Sequence, residues 1–261
     1  MSDSPLVLLE RRDAVAWLRL NRPESRNALS LALVAALKEH LTHLAMDPSV
    51  WVVGIVGEGA KAFCAGADLK ERKDMDDAQA QGAVDGLRAL MNQVAAMPQP
   101  TVALLNGAAF GGGLELALAC DFRLASDTAV MGLTETKLAI IPGAGGCVRL
   151  PQAVGLAKAK ELILLGSRVN APEAFTMGLV TQVLSSTTLQ GQADAFTEVL
   201  LQGGPLALRA AKRVLQSCSG LTEEEALEVE KHQSRSLLPS KDRVEALKAF
   251  YEKRTPQFRG E

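Results

Sequence analysis

The chain has 261 residues, 48% of them apolar, with 28 basic against 30 acidic side chains and a formal charge of −2. That length and apolar content support one large domain, or a main domain with a smaller appendage, around a sizeable core. A charge near zero with no Lys/Arg run selects no polyanionic partner, so nucleic acid is not the expected ligand.

Charges at Asp3, Glu10, Arg11, Arg12 and Asp13 interrupt the N-terminus before an apolar segment reaches signal-peptide length. No apolar run approaches the ~18 residues of a membrane span. The cysteines at 64, 120, 147 and 218 form no CxxC pair, which favours reduced thiols and a cytoplasmic setting.

LVLLE and AVAWLRL, at 6–10 and 14–20, alternate around a charged turn and predict a hairpin. NRPESRNALS at 21–30 is a turn in which Ser30 or Asn27 can cap a helix over 31–46, whose apolar positions 33, 34, 37, 41 and 44 recur at helical spacing until Asp47-Pro48 stops it. VWVVGIV at 50–56 reads as a strand buried on both faces. After a short helix at Asp68–Arg72 and a longer one within 73–97, TVALLNG repeats the buried-strand pattern.

A Gly-rich loop then leads into a helix over 113–120, followed by strands FRLAS (122–126) and AVMGL (129–133) and a helix AKAKELILLG (157–166). Strand and helix alternate to about residue 185, the pattern of an α/β core. Beyond QGGP strand character ends, and three helical stretches at 205–217, 222–237 and 240–252 follow. The composition shift near 203 divides a core, 1–202, from a helical tail, 203–261, of the kind used as an oligomerisation or lid element or simply packed on its own core.

Chemistry concentrates in three segments. In NGAAFGGGLELALACD, at 106–121, a helix starting near Gly112 would aim unpaired N–H groups and the positive end of its dipole outward, across glycines that let another molecule approach. In KAFCAGADLKER, small residues around Ala67 leave a second N–H free to converge with that of Gly112 on one carbonyl oxygen. Tight strand-to-helix packing would equally call for both glycine clusters. In GLTETKLAIIPGAGG, Glu135 lies between two strand-like stretches and before an apolar run, so its surroundings should be buried, and the acid should find either a salt bridge or a chemical task with a raised pKa.

Several patterns point elsewhere and fail. GEGAKA at 57–62 fits GxGxxA, but FCAGAD stands where its helix should begin. GAGG at 143–146 lacks the Lys-Ser/Thr of a phosphate loop, no GxSxG is present, and His40 and His43 lack an acidic third ligand, so no metal is expected. Cys64 reads as a small packing residue rather than a reactive thiol.

Taken in order, FCAGADLKER, NGAAFGGGLELALACDFRLAS, ETKLAIIPGAGG and KDRVEALKAFYEKR resemble the crotonase superfamily of enoyl-CoA hydratases and isomerases over nearly the whole chain. The resemblance implies an α/β fold, a crotonase-like spiral of ββα repeats, with a C-terminal helical region used for trimerisation as a homotrimer or dimer of trimers. It implies Ala67 and Gly112 as the amides that polarise a thioester carbonyl, and Glu115 and Glu135 as the two catalytic acids of a hydratase. It further implies coenzyme A, present only as part of the substrate, against Ala65, Leu69, Arg26 and Lys61, with Phe250 and Lys253 supplied by a neighbouring subunit. For Arg26, Lys61 and Lys253 the residues alone say no more than solvated surface charge.

GADLKER with GLTETKLAIIPGAGG is more similar to the 3-methylglutaconyl-CoA hydratase branch, which acts in leucine breakdown, than to short-chain hydratases of fatty-acid β-oxidation. That substrate ends in a carboxylate, for which Arg72, then Lys70 and Lys73, are the candidate partners, or else the exposed face of a helix. Two positions depart from the family pattern: Cys147-Val148, where many members carry Thr-Gln, and Ala246, where Gly is usual. An RNA-binding role, also associated with this branch, has little support, because helix 31–46 carries only Lys38 as a strong cation and no stacking aromatics.

Overall fold

Residues 4–261 are described by a computed structural model. The opening hairpin forms as expected: β1 (Val7–Arg12) pairs antiparallel with β2 (Val15–Leu20), with Val7 opposite Leu20 and Arg12 opposite Val15. The Ser30 hydroxyl accepts from the Leu33 N–H at 3.2 Å and starts α1 (Leu31–Met46). Leu33, Val34, Leu37, Leu41 and Leu44 form its buried stripe, as their spacing requires.

The chain then repeats a long strand, a short strand and a helical segment. β3 (Val52–Gly57) and β4 (Ala62–Cys64) lead to α2 (Leu69–Arg72) and α3 (Asp77–Ala95). β5 (Thr101–Leu105) and β6 (Ala108–Phe110) lead to α4 (Gly112–Ala119). β7 (Phe122–Ser126) and β8 (Val130–Gly132) lead to a 3-10 turn (Glu135–Leu138), α5 (Gly146–Val154) and α6 (Leu156–Leu164). A shorter unit, β9 (Val169–Asn170), α7 (Ala171–Thr176), β10 (Gln182–Leu184) and α8 (Leu189–Leu201), closes the core.

The long strands build one sheet in the order β1-β2-β3-β5-β7-β10, parallel apart from the hairpin, and the short ones a second in the order β4-β6-β8-β9. This is the expected ββα spiral. Its functional consequence lies in the second sheet: β4, β6 and β8 run parallel, so their C-terminal ends release three successive loops side by side. The Gly111 N–H donates to the Gly132 carbonyl at 3.0 Å and joins two of those loops directly.

Three sequence expectations need correction. No strand follows Glu135 directly; the second strand-like stretch is the 3-10 turn and a loop, and its apolar run is exposed at Leu138 (57%), Ile140 (50%) and Ile141 (69%) rather than buried. The helix expected from 73 starts at Asp77, because Asp76 and Gln79 form a reciprocal cap there. The Gly-rich loop before α4 contains β6, and the GAGG turn opens α5; neither element was expected.

The tail comprises α9 (Pro205–Ser217), α10 (Glu223–Ser236) and α11 (Lys241–Glu252), close to the bounds expected. One buried cation fixes α9 to the core: Lys212 Nζ donates to Asp121 Oδ2 at 2.6 Å and to the Gln99 carbonyl at 2.9 Å. The same carboxylate oxygen accepts from the Thr101 N–H and hydroxyl at 2.7 and 2.9 Å, so the pair is enclosed and well satisfied. Lys212→Met should therefore lower the unfolding free energy by about 2–4 kcal/mol in denaturant titration, less than for a wholly buried pair because the Asp121 side chain keeps 23% exposure.

Candidate active site

The loop after β4 is laid along the 21–30 turn by backbone bonds. The Ala65 N–H donates to the Arg26 carbonyl at 3.0 Å, the Leu29 N–H to Gly66 at 2.8 Å, and the Asp68 N–H to Leu29 at 3.2 Å. Asn27, buried and left-handed at φ 55°, stitches the turn: its amide donates to the Glu58 and Ala62 carbonyls and its oxygen accepts from the Arg22 N–H. Arg22 in turn reaches Asp68 at 2.9 Å and the Ala28 carbonyl at 2.7 Å. Burial raises the Asp68 carboxyl, but the Arg22 guanidinium and the Lys70 amide outweigh it and hold the group below its ordinary value.

This clamp presents Ala67 to the start of α4. A methyl group on Gly112 would stand 3.5 Å from the Ala67 nitrogen, so the two amides are neighbours. Among the described residues no backbone acceptor takes either N–H. The preceding glycine, Gly111, has φ 51° and ψ −125°, a conformation few side chains tolerate, and it turns the chain sharply from β6 into the helix. Gly113 answers to packing: a Cβ there would lie 2.1 Å from the Cys64 carbonyl oxygen. Cys64 itself is fully buried and its thiol pushed up to about 12, which fits a packing residue.

Glu115, 3% exposed in the first turn of α4, points to the loop before α5. Its Oε1 accepts from the Ala144 and Gly146 N–H groups, both at 2.8 Å, while no protein donor among the described residues takes Oε2. Burial raises its pKa; those two amides, then the Arg149 and Arg72 charges, pull the other way without cancelling it. Glu135, released at the end of β8, has no such support. Its buried Oε2 has no hydrogen-bond partner among the described residues, and Oε1 lies 3.1 Å from where a Cβ on Gly111 would stand. Burial, with the charge of Glu115, lifts this carboxyl to about 7 against its own backbone bond. The salt bridge open to Glu135 on sequence grounds is thus absent among the described residues, and the charge of Glu115 acts on it instead.

Cys147, the departure noted in the sequence, stands close enough for both carboxylates to act on its thiol, which burial and then those two charges push up. Val148 beside it is exposed. The other expected positions divide. Ala65 is joined to Arg26 as described, with Leu69 exposed one helical turn beyond; Lys61 is exposed and its carbonyl accepts from Ala108 at the start of β6. Arg72 is half-buried and acts on Glu115, whereas Lys70 and Lys73 are exposed. Phe250 and Lys253 make their contacts within the tail, Phe250 edge-on to Tyr251 at 5.9 Å, so the single chain does not bring them to the carboxylates. The roles of Arg22, Asn27, Asp68, Arg88 and Arg149 were missed by sequence reading, since each has a partner far away in the chain: Arg22 and Asp68 each other, Asn27 the Glu58 and Ala62 carbonyls, Arg88 the Gly143 carbonyl and Arg149 the Asn92 side chain.

Comparison with known proteins agrees with the fold. Residues 10–261 match the family model described as enoyl-CoA hydratase/isomerase. Human mitochondrial enoyl-CoA hydratase domain-containing protein 2 is 43% identical over 251 residues, spanning 94% of this chain and 86% of the relative. Human mitochondrial methylglutaconyl-CoA hydratase is 42% identical over 260 residues, spanning 97% and 76%. A crystal structure of an enoyl-CoA hydratase from Bacillus anthracis superposes with a TM-score of 0.97 at 44% identity, over 98% of this chain and 100% of that one.

Proposed function

Since the chain belongs to the enoyl-CoA hydratase/isomerase family, we propose that it adds water reversibly across the α,β double bond of 3-methylglutaconyl-CoA to give 3-hydroxy-3-methylglutaryl-CoA. The observation that carries the hydration step is the pair of unlike carboxyls: Glu115 held by two amides, and Glu135, half-buried, with one buried oxygen left unpartnered. Environments that push two acids apart assign one the base and the other the acid.

In this reading Ala67 and Gly112 donate to the thioester oxygen and stabilise the charge that develops there as the enolate forms. Glu115 takes a proton from water as its oxygen bonds to C3, the double-bond electrons move onto the carbonyl oxygen, and the returning electrons at C2 take a proton from Glu135. The reverse reaction exchanges the two roles. Ala65, Leu69, Arg26 and Lys61 would line the coenzyme A end. Phe250 and Lys253 would reach it only from a second subunit of a trimer or dimer of trimers. A cytoplasmic setting belongs to the same proposal.

The acyl end rests on Arg72. Its guanidinium meets no acceptor side chain or carbonyl among the described residues, and it borders a narrow cleft shared with Leu29, Val34, Met75 and Leu87 and with the carboxylates of Asp68 and Glu71. A guanidinium without a hydrogen-bonded partner suits an acyl chain that ends in a carboxylate, provided it outweighs those two acids. Arg72→Ala is expected to raise KM for 3-methylglutaconyl-CoA at least ~10-fold while leaving crotonyl-CoA within about twofold, as loss of one charge-assisted contact predicts. Equal losses on both substrates, or no turnover of the first by the wild type, would favour a short-chain enoyl-CoA hydratase of fatty-acid β-oxidation instead.

A further inference from the structure

We infer that Arg88 and Arg149 are positioning residues that set the placement and proton affinity of Glu115 through the main chain of residues 143–146. The inference rests on Glu115 serving as the base above. Arg88 lies on the exposed side of α3 and is absent from the reacting groups, yet its Nε and Nη2 both donate to the Gly143 carbonyl, at 3.2 and 3.0 Å. The peptide that owns this carbonyl ends in the Ala144 N–H, which donates to Glu115 Oε1 at 2.8 Å. A cation on one end of a peptide and an anion on the other polarise it in the same sense, and each strengthens the other's bond.

Arg149 secures the next peptide. Its Nη1 donates to the Ala144 carbonyl at 3.1 Å and its Nη2 to the Asn92 side chain at 2.9 Å, again on α3. The Gly146 N–H, the second donor to Glu115, lies just beyond. Two guanidiniums thus tie the loop to α3 and α5 and aim both of its amides at one carboxylate oxygen. The other charged or titratable groups that act with Glu115 are Arg72 at the end of α2, Glu135 in the 3-10 turn and Cys147 on α5. The partner of Arg88 on its own helix is Asp85, at 3.0 Å and exposed.

Arg88→Gln keeps a donor of nearly the same reach and removes the charge. With crotonyl-CoA as probe, it should reduce kcat about 3- to 10-fold, leave KM within twofold, and move the acid limb of kcat/KM upward by roughly half a pH unit, the direction for a carboxylate that has lost a cation. Arg88→Lys, which retains charge and one donor, should restore the limb. Arg149→Lys should move the limb less than Arg149→Gln. A merely structural Arg88 would lower the melting temperature and leave the limb in place. An unmoved limb in Arg88→Gln, with Glu115→Gln inactive, overturns this inference alone. A Glu115→Gln enzyme that hydrates at the wild-type rate overturns the base assignment, and this inference with it.

Discussion

Glu135→Gln is expected to lower hydration kcat by ~10²–10⁴, the range for loss of a positioned general acid, with little change in KM. The reason is protonation. An ordinary glutamate is almost wholly ionised at neutral pH, but burial and the neighbouring Glu115 lift this one to about 7, so a large share of molecules carry the proton that C2 needs. The sign follows: in the hydration direction the rate falls as pH rises through about 7 and Glu135 ionises. On the acid side it falls as Glu115 takes up a proton, giving a bell whose limbs belong to the pair. Glu135→Gln should also flatten the basic limb, which stopped-flow or steady-state assays over pH 5–9 would read. Wild-type rates in that variant would remove Glu135 from the chemistry; a surviving basic limb with a low rate would assign the titration to another group.

Gly112→Pro is expected to cut kcat/KM by ~10²–10³ or more, the cost of one missing oxyanion donor, while the fold survives. Gly112 is the first helical residue of α4, the position where proline is best tolerated because its N–H has no helical partner. A Cβ there would meet only ordinary contacts near 3.5 Å with Ala67 and Leu29. The substitution therefore removes a functional donor with little structural penalty, and the proline ring stands where the thioester oxygen would sit. A near-native melting temperature with lost activity is the anticipated pair of readings. A variant of full activity would show that the Gly112 amide does not polarise the carbonyl. Of the three glycines, Gly111 serves the turn and Gly113 the approach to Cys64, and the proposal gives Gly112 to the reaction.

The local parts of this protein were legible in one dimension. Leu33, Val34, Leu37, Leu41 and Leu44 on α1, the wholly buried and mostly apolar β3 and β5, and the three tail helices carry their signal in residues a few positions apart. Glu115, Glu135, Ala67 and Gly112 could be singled out as candidates, because a helix start after glycines and a lone acid in an apolar frame are short-range patterns, but packing or a salt bridge explained those patterns equally and only the family resemblance implied their roles. The run Leu138–Ile141 failed the same reading. Apolar side chains in sequence look alike whether a sheet covers them or they stand exposed on a loop, and only the fold distinguished the two. Strands of two or three residues, such as β6 and β9, are too short to show any period.

Periodicity, capping and turn chemistry are properties of neighbours along the chain, and so the order of most elements and the candidates for the reactive residues were already legible in the sequence. What the tertiary structure decided was how each acid is held. Arg22 meets Asp68 across 46 positions, Arg88 meets Gly143 across 55, and the Ala144 amide meets Glu115 across 29. Two like glutamates became an amide-supported one and an unsupported one only because β4, β6 and β8 end side by side and desolvate both. The pKa of a carboxyl depends on what surrounds it in space, which no spacing along the chain records.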